Sequence, residues 1–93
     1  MKELKLSGRE MAVLKAIDYA TGTFGSEMAH ATHMEEQDLV DILTGLMDVG
    51  YVEAYAGDDQ RTPLQEATLA TFPTTRFEVN PSYALQIRQA TKR

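Results

Sequence analysis

The 93 residues contain no cysteine, which excludes disulfides, thiolate metal sites and cysteine nucleophiles. Nothing approaches the run of roughly 18 apolar residues that a membrane helix needs, so no membrane partner is expected. The opening Met-Lys-Glu-Leu-Lys-Leu carries two bases with no apolar run behind them, and no secretory leader is expected. The cytoplasm is the default compartment. There is no Ser-x-Gly elbow and no glycine-rich phosphate loop, so no enzyme, cofactor or catalytic residue is expected. The most telling lack is of positive charge. Between Ala16 and Gln60 there is no lysine or arginine, while ten acids occupy that stretch. The formal net charge of -5 favours solubility and opposes non-specific attraction to nucleic acid or anionic lipid.

What is present reads as one domain over 1–93, without internal repeats. Ser7 and Glu10 make an S-x-x-E capping box, with Leu6 and Met11 placed as a hydrophobic staple. The helix they open is predicted to bury Val13, Leu14, Ile17 and Ala20 and to end at Thr21-Gly22-Thr23. A short helix follows over Gly25 to Ala31. A third helix starts with either Thr32 or Glu35 at its cap and stops at Gly50. Leu39, Ile42, Leu43 and Leu46 form its predicted inner stripe. Gln37, Asp41, Thr44 and Asp48 face outward, and Val40 and Met47 lie on a flank. Tyr51 to Tyr55 and Thr75 to Val79 alternate as strands. Asn80-Pro81 opens a last helix with Tyr83, Ala84 and Ile87 inward. Between the strands, an insertion over 56–74 is predicted to hold a short helix near Pro63 to Ala70, because Thr62-Pro63-Leu64-Gln65 fits a cap with proline at the first helical position. An extended reading of Thr68 to Phe72 is nearly as good.

Three helices, a strand, a long loop, a strand and a closing helix is the order of a winged helix-turn-helix domain. Gly25-Ser-Glu-Met-Ala29 resembles the short second helix of PadR-type and MarR-type transcription regulators. The run Leu39-x-x-Ile-Leu-x-x-Leu-Met-Asp-Val-Gly-Tyr-Val-Glu53 resembles their recognition helix and the turn into the wing, and Arg76-Phe-Glu-Val-Asn-Pro81 resembles the returning strand. The resemblance implies an α+β, mostly α fold: a three-helix core, a two- or three-stranded wing and a C-terminal helix. It also implies a transcription-regulator type of function. DNA or partner contacts then fall on Gln37, Asp38, Val40, Asp41 and Thr44, and phosphate contacts on Arg61 and Arg76.

The acids on that surface set the terms. Glu35, Glu36 and Asp38 lie in the first turn, where a carboxylate gains roughly 0.3–1 kcal/mol from the helix dipole, but Asp41 and Asp48 lie beyond its reach. Duplex DNA would therefore be held weakly. The alternative is a protein-interaction module, or a homodimer, that keeps the scaffold and docks through Val40, Met47 and the acidic face. The aromatics Tyr51, Tyr55, Phe72, Phe77 and Tyr83 are expected in the core, with Tyr55 and Phe72 the two left for partner contact. Glu27, His30 and His33 have a Glu-x-x-His-x-x-His spacing that suits zinc on a continuous helix. A helix ending near Ala31 moves His33 into the turn, so no metal is expected there.

Overall fold

The computed structural model describes residues 5–57 and 63–91. They form an α+β domain in the order α1 (Gly8–Lys15), β1 (Thr23–Phe24), α2 (Gly25–Thr32), α3 (Glu36–Asp48), β2 (Val52–Tyr55), β3 (Pro63–Leu64), β4 (Arg76–Val79) and α4 (Ala84–Thr91). Single 3-10 turns at Phe72–Thr74 and Pro81–Tyr83 precede β4 and α4. The sheet is antiparallel throughout, in the order β1-β4-β2-β3.

Local chemistry sets the helix ends. At α1 the Glu10 N–H donates to Ser7 Oγ at 3.1 Å and the Ser7 N–H to Glu10 Oε1 at 2.8 Å, which completes the capping box. The helix ends at Lys15, earlier than its apolar spacing predicts. The Asp18 carboxylate accepts from the Ala20 and Thr21 N–H groups at 2.8 and 3.1 Å, and the Asp18 N–H donates to Thr23 Oγ1 at 2.9 Å. An aspartate that bonds the backbone ahead of it competes with helix propagation. Ala20 is consequently exposed rather than buried, and Ile17 reaches the core from beyond the helix. The two backbone bonds hold the Asp18 carboxyl below the usual carboxylate range.

At α2 the capping position is Phe24, which has no oxygen to offer, so only the return bond forms, from the Phe24 N–H to Glu27 Oε1 at 3.1 Å. Of the two starts open for α3, Glu35 is the cap. Thr32 belongs to α2, where its hydroxyl donates to the Met28 carbonyl and accepts from the Met34 N–H. The far end of α3 closes as expected. Gly50 sits at φ +86, its N–H donates to Met47, and the Tyr51 N–H reaches back to Leu46 at 2.9 Å.

The insertion departs most from expectation. Pro63 and Leu64 are not the start of a helix but an edge strand of the sheet, paired with Tyr55 and Ala54 of β2. Pro63 lacks an N–H, and the edge position tolerates that loss. No helix covers 63–70 among the described residues. Phe72 is fully buried, as expected of the core aromatics and against its alternative role in partner contact, with its ring 5.7 Å from that of Phe77. The core thus lies between the inner sheet face (Val52, Ala54, Phe77, Val79) and the helical residues Leu14, Met28, Leu39, Leu43 and Ile87.

Candidate recognition surface

The turn between α2 and α3 places His33 at φ +59, a left-handed conformation that a non-glycine residue adopts at a cost. Its N–H still closes α2 by donating to Ala29 at 3.0 Å. This turn fixes how α3 is presented. The helix buries Leu39, Val40, Leu43 and Leu46, and leaves Ile42 partly buried against the edge of the core. The expected stripe and flank are therefore exchanged at two positions. At about 100° per residue, Val40 and Ile42 flank the stripe on opposite sides, about 60° and 100° from Leu43 but about 100° and 60° from Leu39, so spacing alone does not choose between them. Val40 is 7% exposed and cannot contact DNA or a partner from the core.

The remaining outward residues form a continuous face. The Gln37 amide donates to Asp41 Oδ1 at 3.0 Å, one turn along. Asp48 is exposed and Thr44 half-exposed farther along the helix. At the start of α3, Arg9 from α1 reaches across to Asp38 with an N···O distance of 3.1 Å. Both side chains remain well exposed, at 61% and 45%, so the pair adds at most about 1 kcal/mol to stability. Its consequence is electrostatic: a base beside α3 is already matched to an acid.

Gly45 belongs to this face, and nothing in the sequence reading singled it out. A Cβ added there would meet nothing within 4 Å. The site could hold alanine without strain, and glycine in an exposed helix interior costs roughly 0.5–1 kcal/mol relative to it. Gly45→Ala should therefore raise the urea midpoint by an amount equivalent to about 0.5–1 kcal/mol. A lowered midpoint would mean that α3 is not regular at this position. Glycine in mid-pattern was the signal available in the sequence.

The other predicted contacts lie elsewhere. Arg76 is on the outer face of the sheet, across from Tyr55 and far from free. Its Nη1 pairs with Glu78 and donates to the Thr21 carbonyl, and its guanidinium lies 5.2 Å from the centre of the Tyr55 ring. Tyr55 donates in turn to Glu53. Burial, with Glu53 and Glu78 alongside, pushes the Tyr55 phenol up from the usual tyrosine value, so it stays a neutral donor. Arg76 Nη1 is committed within the protein while its Nε is buried without a partner among the described residues, and a phosphate would have to displace Glu78 to reach Nη1. Arg61 lies outside the described residues. Of the metal candidates, Glu27 caps the backbone at Phe24, while His30 and His33 stand with their rings 6.5 Å apart. Among the described residues no three histidines or carboxylates come together as a metal site.

Searches with the chain found no matching protein-family profile and no significant match to a curated protein or a solved structure. No described helix is long and apolar enough to cross a membrane.

Proposed function

We propose that this chain is a winged-helix domain of the transcription-regulator type, whose α3 face receives a basic segment of a protein partner. Several features support the winged-helix reading. The order α1-β1-α2-α3 is followed by wing strands, β1 adds to the edge of β4, and a tight turn joins α2 to α3. The extra strand β3 lengthens the wing.

The choice of partner rests on the pairing of Arg9 with Asp38. Duplex DNA binding depends on bases that displace counterions from phosphates, and screening at physiological salt leaves only charges within about 8 Å fully felt. Two described bases are paired within the protein, Arg9 beside α3 on Asp38 and Arg76 on the sheet with Glu78. Asp41 and Asp48 stay outward, where phosphates would repel them and lysine or arginine would match them.

The test uses Asp38→Asn combined with Asp41→Asn. Asparagine at position 41 can still accept from Gln37, and asparagine at 38 releases Arg9, so the fold should be kept. A lysine- and arginine-rich peptide should bind the wild type and lose several-fold in affinity with the double variant. Mixed-sequence duplex DNA should bind the wild type weakly and salt-sensitively, and bind the variant more tightly. Tight wild-type DNA binding in moderate salt that the variant loses would overturn the proposal, because the acids would then be reading bases.

A further inference from the structure

We propose a second site, beside the start of α2, that takes a hydrophobic organic cation. It is a cavity of about 840 Å³ between the end of β2, β3, the Phe72–Thr74 turn and the start of α2. That volume falls within the roughly 300–1,000 Å³ typical of small-molecule pockets. The inference rests on this cavity alone and stands whether or not α3 docks a partner.

Phe24, Ala56, Leu64 and Pro73 give the cavity apolar walls. Close packing fixes its floor. A Cβ on Gly57 would stand 2.3 Å from the Thr74 carbonyl oxygen and 3.4 Å from the Phe24 ring, so strand end, turn and ring approach one another as only glycine allows. Gly25 does the same beside it, with its N–H on the Thr75 carbonyl at 2.9 Å and its missing Cβ replaced by the Phe72 carbonyl.

The polar lining decides the charge of the occupant. The Thr74 and Thr75 hydroxyls both donate to the Thr71 carbonyl, at 3.2 and 2.8 Å, and the Thr68 and Thr71 hydroxyls bond each other at 2.8 Å. These threonines have few donors left for an anion. Among the described residues, no lysine or arginine lines the cavity and Glu66 is its ionisable side chain. The positive end of α2 also opens nearby, but the Glu27 carboxylate already occupies it through the Phe24 N–H. Among the described residues an anion would meet carboxylates and no cation. A cation with an apolar body would meet Glu66 at the rim and the Phe24 ring on the wall, where cation–π attraction adds to burial.

Tetraphenylphosphonium and tetraphenylborate have the same shape and opposite charge, and together they test the proposal by calorimetry. The phosphonium should bind saturably with one site per chain, more tightly than the borate. Glu66→Gln should weaken the phosphonium by roughly two- to fivefold, the range for one exposed charge pair, and strengthen the borate. Ser26→Trp, on the rim, should weaken both ions, with its helical circular dichroism unchanged. On the wild type, amide shifts induced by the phosphonium should centre on Phe24, Gly57 and Leu64. Borate binding as tight as phosphonium binding would overturn the proposal. So would a Glu66→Gln variant that moves both ions the same way, or shifts centred away from the cavity.

Discussion

Phe72→Ala should lower the unfolding free energy by about 3–5 kcal/mol, the range for removing a buried phenylalanine ring. Domains of this length are stable by roughly 0.05–0.15 kcal/mol per residue, so the loss would remove much of the total. Phe72 is 0% exposed and its ring packs on Phe77, which reaches the same core from β4. Its backbone is held as tightly as its side chain, because the Phe72 carbonyl stands where a Gly25 side chain would be. Urea denaturation of Phe72→Ala beside Leu69→Ala provides an internal control. Leu69 lies three residues earlier and is 48% exposed, so its truncation should change stability by no more than about 0.5 kcal/mol. Similar midpoints for the two variants would mean that the insertion is not anchored in the core.

A core role for Phe72 was legible in the sequence, but the path of the chain leading to it was not. The segment from Pro63 to Thr74 carries no 2.0 or 3.6 periodicity, and the capping pattern at Thr62-Pro63-Leu64-Gln65 gives a local argument for a helix. Pairing with Tyr55 and Ala54 overrides it, and that pairing depends on register across the sheet, which local spacing does not encode. Strand β1 was illegible for a simpler reason, since two residues cannot display an alternation. Elements whose ends rest on local chemistry were legible: the Ser7–Glu10 box, the Gly50 stop, and Asn80, whose Oδ1 accepts from the Ser82 N–H at 3.0 Å. Asn80 does more than the sequence suggests, because its Nδ2 also bonds the Gly50 carbonyl at 2.7 Å and ties the end of α3 to the start of α4.

The candidate surface was legible in part. Outward placement of Gln37 and Asp41 follows from helical spacing once Leu39 and Leu43 are taken as inward. The partners of Asp38 and Arg76 do not, since Arg9 and Asp38 are 29 residues apart and meet only when α1 packs on α3. Arg76 and Glu78 are two positions apart, as neighbours on one face of a strand must be, yet the engagement of Arg76 with Tyr55 depends on the pairing of β2 with β4. Charge counted along the chain located the acids correctly but left the availability of the bases open. The cavity by α2 is assembled from residues between Phe24 and Thr75, which no single motif could announce.

Leu43→Ala should cost about 2–5 kcal/mol, because Leu43 is fully buried at the centre of the inward face of α3. The substitution tests burial of the helix; two neighbours test its rotation. Val40 is 7% exposed and Ile42 only partly buried, so Val40→Ala should destabilise more than Ile42→Ala although valine is the smaller side chain. Size alone predicts the reverse order, as does the expected stripe of Leu39, Ile42, Leu43 and Leu46. Denaturation midpoints of the three variants therefore separate the observed helix phase from the one that spacing suggested. A greater loss at Ile42 than at Val40 would turn the inward face toward Ile42 and return Val40 to the surface. Asp38, about 100° short of the inward Leu39 and about 200° short of Val40, would then change its exposure as well, and its pairing with Arg9 would no longer describe the recognition surface.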